Sequence, residues 1–259
     1  MNGALSNLSE FISCAAQLGS TPRQKFAILW RLTKNVRVRA GVARYQPEQV
    51  YSLPTRYRTV FLRDNFGDVT NLPGLFCRCE YGVSRLAHEG VVIDIGANIG
   101  LFAAWIAHHN PGREIHCFEP LASNARMIAM NCPSAVVNQV GLGKSPGSVR
   151  VNVDLHGIMA SSISTRWQTQ ETEVTIVPLD RYVEQHAIER IAFMKIDTEG
   201  MELDILAGAT DALRITRQLA METHGVDRHR GAIEWLSASG FNIATETFDG
   251  STGLVFAAR

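Results

Sequence analysis

The stretch Val91-Val92-Ile93-Asp94-Ile95-Gly96-Ala97-Asn98-Ile99-Gly100 constrains the fold more than any other part of the chain. Four of its first five residues are apolar, and all four are β-branched. Such a run suits a central parallel strand covered on both faces. Gly96 and Gly100 then bracket a turn into a helix, where backbone must pass close to something. A second acid, Glu119, ends the next apolar run, Ile115-His116-Cys117-Phe118. This arrangement would hold a nucleotide-like cofactor at the carboxyl end of a parallel sheet.

Spacing separates two cofactor classes. A dinucleotide turn follows G-x-G-x-x-G, whose middle glycine lets the chain approach a pyrophosphate. Here Asn98 stands where that glycine belongs. Its side chain crowds a diphosphate but can hydrogen-bond a smaller group. Asp94 lies two residues before Gly96, so both address one face of the strand. A carboxylate there repels a pyrophosphate and suits an ammonium or a sulfonium; S-adenosylmethionine carries both. Glu119 serves either class, since a carboxylate accepts hydrogen bonds from both ribose hydroxyls. Gly96, Ala97, Asn98, Gly100 and Pro120 complete the expected cradle, and Gly141-Leu142, closing the third core strand, falls where an adenine would lie.

From Val91 onward the pattern alternates. Strands are expected at 91–95, 114–118, 135–140, 191–196 and 218–222, with helices at 100–109, 121–131, 179–187, 201–213 and 229–238. That alternation implies a parallel sheet with right-handed crossovers. Residues 148–153 and 173–177 break the rhythm as an inserted hairpin. Phe241–Thr247 and Gly253–Ala258, joined by Asp249-Gly250, read as a closing antiparallel hairpin. The fold expected is α/β: a Rossmann-like sheet of the class I methyltransferase layout, mostly parallel, with a helical N-terminal extension. The boundary falls at 1–85 and 86–259. Within the extension, a helix over 22–34, a strand over 56–63, a turn at 64–68 and a short helix from Leu72 to Tyr81 are expected.

The 259 residues carry 25 basic and 25 acidic side chains, so no global charge favours nucleic acid. The charges are unevenly placed, however. Between Glu10 and Glu48 there is no acid, while Arg23, Lys25, Arg31, Lys34, Arg37, Arg39 and Arg44 are all basic. Phe26, Leu29 and Trp30, flanked by Ile28 and Leu32, give this segment a helical apolar pattern. Two readings stand: a helix packed on the domain with a solvated basic face, or a surface over 23–44 that meets anionic lipid or a phosphorylated glycolipid. No apolar run approaches a bilayer span, and the start lacks a secretory pattern. Five scattered cysteines read as reduced thiols of a cytoplasmic protein, peripheral to the membrane's inner face at most. Cys77-Arg78-Cys79 lacks the second pair a metal clip needs.

Two further strand ends carry chemistry. Phe193-Met194-Lys195-Ile196-Asp197-Thr198-Glu199-Gly200-Met201-Glu202 puts three acids at the end of a buried strand. Glu199 and Glu202 suit a helix N-terminus; Asp197 is placed in the cleft, against both cofactor and acceptor. Leu219-Ala220-Met221-Glu222-Thr223-His224 brings an acid and an imidazole to the same mouth. Asp197, Glu222 or His224 is the expected general base. A divalent ion such as magnesium, held by Asp197 and Glu222, is the alternative way to activate a hydroxyl.

Together these residues resemble the FkbM family of S-adenosylmethionine-dependent methyltransferases. The resemblance runs through Asp94-Ile95-Gly96-Ala97-Asn98-Ile99-Gly100, Phe118-Glu119-Pro120, Val177-Pro178-Leu179-Asp180, Lys195 to Glu202, Ile205-Leu206-Ala207-Gly208-Ala209 and Glu222. It implies a Rossmann-like fold, S-adenosylmethionine as donor and O-methylation of sugar, glycolipid or polyketide-type hydroxyls. Two rival classes are a nicotinamide (NAD) oxidoreductase, disfavoured by Asn98 and Asp94, and a non-catalytic binding module of the same fold.

Overall fold

The computed structural model describes residues 2–154, 160–161 and 169–259. They divide into two compact units, one up to Glu80 and one from Tyr81 onward.

The first unit contains α1 (Asn2–Leu18), α2 (Pro22–Leu32), α3 (Lys34–Arg39), β1 (Gln46–Pro54), β2 (Thr59–Asp64) and α4 (Phe66–Leu72), which runs into a π-helical turn, Pro73–Cys77. α2 starts with a capping box: Gln24 N–H donates to Thr21 Oγ1, and Thr21 N–H donates to Gln24 Oε1. Pro22 occupies the first helical position, where its missing N–H costs nothing. β1 and β2 form an antiparallel hairpin, from Gln46 opposite Asp64 to Pro54 opposite Thr59. β1 was not expected, because only Leu53 of its nine residues is buried and the chain shows no two-residue alternation.

The helix expected over 72–81 begins earlier. Asn65 caps α4 by accepting from Asp68 N–H at 2.8 Å. The Asp68 carboxylate in turn binds the Arg63 guanidinium through two hydrogen bonds, of 2.9 and 3.0 Å. All three residues are buried, so the supposed turn is a packed cap. The same unit brings the Cys77 thiol within 2.7 Å of the Cys14 sulfur, although 63 residues separate them.

The second unit is built on β3 (Val91–Ile95), β4 (Ile115–Phe118), β5 (Val136–Asn138), β6 (Gly141–Leu142), β7 (Gly147–Asp154), β8 (Ala160–Ser161), β9 (Thr169–Val177), β10 (Ile191–Ile196), β11 (Thr216–His224), β12 (Asn242–Phe248) and β13 (Thr252–Ala258). Helices α5 (Leu101–His109), α6 (Ala122–Asn131), α7 (Leu179–Gln185), α8 (Glu202–Ala207), α9 (Thr210–Arg214) and α10 (Val226–Ala238) connect them. Seven strands form one sheet in the order β12-β13-β11-β10-β3-β4-β5. The pairs from β11 to β5 are parallel, and β13 runs antiparallel to both its neighbours. β4 and β10 are buried at every position, and β3 at every position after Val91. This continuous burial is that of a strand covered on both faces. The strand order reverses between β3 and β10, so a crevice opens at their carboxyl ends.

The inserted hairpin is present as β7 against β9, with β6 pairing β9 in parallel. The strand expected over 135–140 therefore ends at Asn138, and the chain leaves for this second sheet. Most of the loop 155–172 lies outside the described residues. The helix expected over 201–213 is two helices. Gly208 breaks it, passing so close to Gly143 that a Cβ would stand 2.1 Å from that carbonyl oxygen. Asp180, on α7, caps the second piece by accepting from Asp211 and Ala212 N–H at 2.9 and 2.8 Å.

Candidate active site

The glycine turn is held by the two strands beside it. Gly96 and Ala97 N–H both donate to Phe118 O, and Asp197 N–H donates to Ile95 O. Gly96 has φ +72°, and a Cβ there would lie 1.9 Å from the Asp197 carbonyl oxygen. Only glycine satisfies both demands. Asn98 also adopts a left-handed conformation, φ +49°, which asparagine tolerates better than most residues. Its N–H donates to Glu119 Oε2 at 2.9 Å, while its own Oδ1 is buried with no hydrogen-bond partner.

Glu119 is almost fully buried and accepts a second hydrogen bond from Leu121 N–H at 2.9 Å. Burial pushes its carboxyl up to about 7, against hydrogen bonds from Leu121, Asn124 and Asn98 that pull it back. Pro120 follows at the mouth, half-buried. Gly141 and Leu142 lie in β6. Leu142 is core, and Gly141 leaves room for the Ile176 side chain, which a Cβ would meet at 2.7 Å. That glycine therefore has a packing reason of its own.

Register sets the centre of the site. Lys195 pairs with Asp94 across β10 and β3, and with Ala220 across β10 and β11. Two residues on, Gly96, Asp197 and Glu222 stand level at the three strand ends. Lys195 was not among the expected site residues, yet it is the hub. Its Nζ donates to Gly96 O at 2.8 Å and lies 3.3 Å from Asp94 Oδ1 and 3.5 Å from Asp197 Oδ2. Burial alone would pull the ammonium down; Asp94 and Asp197 more than offset this and hold its pKa above the usual value. Asp94 is 0% exposed, so its carboxylate faces Lys195 inside the sheet rather than the open mouth. Tyr81, also not foreseen, donates its hydroxyl to Asp197 Oδ2 at 2.8 Å.

His224 sits among three carboxylates. Nδ1–H donates to Glu202 Oε1 at 2.7 Å, and Nε2 lies 3.4 Å from Glu199 Oε2 and 3.6 Å from Glu222 Oε1. Glu202 is fully buried. Burial works against the imidazolium, but the Glu202 hydrogen bond and the three acids outweigh it and raise the pKa to about 9. The side chain is therefore a cation at neutral pH. Asp197, Glu199 and Glu222 are the more open acids, with side chains 28%, 27% and 25% exposed. Among the described residues, no group of three or more His, Cys, Asp or Glu side chains is disposed to hold a metal ion.

Sequence signals existed for some of what was missed. Lys195 shares a strand face with Asp197, and a lysine inside an otherwise apolar strand needs a buried counter-ion. Nothing local marks Tyr81, which reaches Asp197 across 116 residues.

Comparison with known proteins bears on this geometry. A family model described as "Methyltransferase FkbM domain" matches residues 94–243. The chain is 29% identical over 212 residues to a protein of Streptomyces tacrolimicus named 31-O-demethyl-FK506 methyltransferase FkbM, covering 66% of this chain and 79% of that one. It is 30% identical over 162 residues to the hexuronic acid methyltransferase AglP of Haloferax volcanii, covering 58% and 65%. A match of 28% identity to the AMB antimetabolite synthetase AmbE of Pseudomonas aeruginosa spans 57% of this chain and 9% of that protein. Among solved structures, fibrillarin of Aeropyrum pernix with bound S-adenosylmethionine gives a TM-score of 0.43 at 13% identity, covering 70% of this chain and 72% of that one.

Proposed function

Since the chain belongs to the FkbM methyltransferase family, we propose that it transfers a methyl group from S-adenosylmethionine to a hydroxyl of a sugar, glycan, glycolipid or polyketide-type molecule. The observation that carries this reading is the concentration of acid at the strand ends. Glu199, Glu202 and Glu222 gather there around His224, beside Asp197, with the Asp94–Lys195 pair just behind them inside the sheet. Excess negative charge in a partly buried mouth favours a cationic donor and disfavours a pyrophosphate. Asn98 weighs against a nicotinamide dinucleotide as well. We assign the reaction to the cytoplasm on the odd cysteine set.

The residues fit such a donor. Gly96 clears a backbone passage beside Asp197, and Asn98 Oδ1 is a buried acceptor without a partner. Glu119 is assigned to the ribose hydroxyls, with Gly96 to Gly100 and Pro120 around it and Gly141-Leu142 at the adenine. Asp94, buried behind the turn, fits a supporting role through Lys195, which fixes the Gly96 carbonyl. When bound, S-adenosylmethionine supplies an already activated methyl group, so the protein has chiefly to align the acceptor, exclude water and take a proton.

For the proton, the geometry favours Glu222. Asp197 is already engaged, accepting the Tyr81 hydroxyl hydrogen bond at 2.8 Å and lying 3.5 Å from the Lys195 ammonium. His224 is protonated at neutral pH and fits a positioning role, holding Glu199 and Glu222 in place. Two of the three relatives are named as methyltransferases of 31-O-demethyl-FK506 and of a hexuronic acid, which supports a hydroxyl acceptor.

Calorimetric titration with S-adenosylmethionine and with NAD tests the donor. Binding of NAD alone would sink the reading. Mass spectrometry after incubation with labelled donor and a panel of uronic acid glycosides and polyketide alcohols tests the acceptor. Full turnover after exhaustive chelation would remove the alternative of a magnesium ion on Asp197 and Glu222.

A further inference from the structure

The basic segment of the first unit is not used by the methyl-transfer site, and its exposed face is unusual. Ile28 and Leu32 turn inward and are buried, whereas Phe26 and Trp30 are 68% and 51% exposed. Arg23, Phe26 and Trp30 lie at i, i+3 and i+7, one face of α2. The two rings stack on each other, with centroids 6.3 Å apart, and the Arg37 guanidinium covers Trp30 at 3.4 Å. Val36 and Val42, exposed by 56% and 74%, follow in the same segment.

The charges sort into two groups. Lys34 is committed to Asp64, and Arg31 lies over the Tyr51 ring. Arg23, Lys25, Arg39 and Arg44 are exposed, and among the described residues no ion pair ties them to an acid. A protein of zero net charge has thus collected solvent-facing cations and large apolar side chains in one segment.

We propose that this face docks on an anionic lipid bilayer, with Phe26 and Trp30 entering the headgroup region and the free arginines and lysine facing lipid phosphates. Aromatic side chains flanked by cations are the composition that binds such a surface, through apolar burial and electrostatic attraction together. Single-stranded nucleic acid needs an open aromatic face on which a base can stack. Trp30 offers little of that, being stacked by Phe26 and roofed by Arg37. The proposal is independent of which hydroxyl is methylated.

The test is co-sedimentation of the full chain with phosphatidylcholine vesicles, with and without about 30 mol % phosphatidylglycerol. The expected result is binding that requires the anionic lipid and weakens with added salt. Two variants, Phe26→Ser with Trp30→Ser and Arg23→Glu with Arg39→Glu and Arg44→Glu, should each lower vesicle affinity at least about tenfold. Both change exposed residues only, so thermal melts and donor binding should match the parent. Equal binding to neutral and anionic vesicles, no binding, or unchanged binding by both variants would overturn the proposal. So would tighter binding to a single-stranded RNA oligomer at the same salt, or light scattering that shows the aromatic variant breaking up a dimer, since another occupant would then own the face.

Discussion

Lys195 shows how much one side chain can organise. It is buried, bridges Asp94 and Asp197, and fixes the Gly96 carbonyl. Replacing it with methionine removes the cation that offsets the burial of the Asp94 carboxylate, at a cost of about 3–5 kcal/mol. We expect the double variant Asp94→Asn with Lys195→Met to recover much of that loss, as measured by urea unfolding; no recovery would mean that the two residues do not act as a pair. Glu119 gives a pH-dependent prediction. Its carboxyl is raised to about 7, and hydrogen bonds from ribose hydroxyls favour the ionised form. Donor affinity should therefore tighten as pH rises through 7 and then level off. Glu119→Gln should bind about 10- to 100-fold more weakly, having lost charge-assisted bonds, and should lack that pH dependence relative to the parent. For the proton transfer, Glu222→Gln should lower turnover roughly 10²–10⁴-fold. His224→Gln should lose far less if the imidazolium only positions its neighbours, a difference steady-state kinetics reads directly.

Elements were legible where their cause was local and obscure where it was not. β3, β4 and β10 announced themselves as short runs apolar at all but one position each, and the closing hairpin by Asp249-Gly250. The break between α8 and α9 was hidden because its cause is the Gly143 backbone, 65 residues earlier in the chain. α9 is likewise capped by Asp180 from α7 rather than by its own preceding residue. Asp180→Ala should cost about 1 kcal/mol and lower the melting temperature by roughly 2–4 °C; a change no larger than that of a surface control would remove the cap from the account. The site followed the same rule. Asp94, Gly96, Asp197 and Glu222 could be placed by counting along strands, whereas Tyr81 and the His224–Glu202 bond depend on how distant segments meet. α2 was readable as a helix, but its inward face is Ile28 and Leu32, not the Phe26–Leu29–Trp30 stripe. The periodicity gave the element without the orientation.

For the molecule as a whole, the buried ionisable groups set the direction of its pH response. His224 has a folded pKa raised to about 9 from an ordinary value of 6.5. Its stabilising contribution is complete below about 6.5 and lost as pH rises through 9. Glu119, held partly neutral by burial, adds a loss in the same direction as pH rises from its ordinary 4.5 towards 7. Melting temperature should fall between pH 6 and pH 9, and His224→Gln should flatten the upper part of that fall. An unchanged slope in the variant would show that the imidazole does not couple to folding.

The order of synthesis has its own consequence. Strand β3 leaves the ribosome long before β10, yet β10 must insert beside it before Asp94 meets its ammonium partner about a hundred residues later. Until then the nascent chain carries a carboxylate on an otherwise apolar strand with no partner to shield it, a contact pattern that closes slowly. A stalled or truncated product would thus lack both the lysine and the Asp197 backbone that hold the glycine turn, and incomplete copies should be poor competitors for the donor pool.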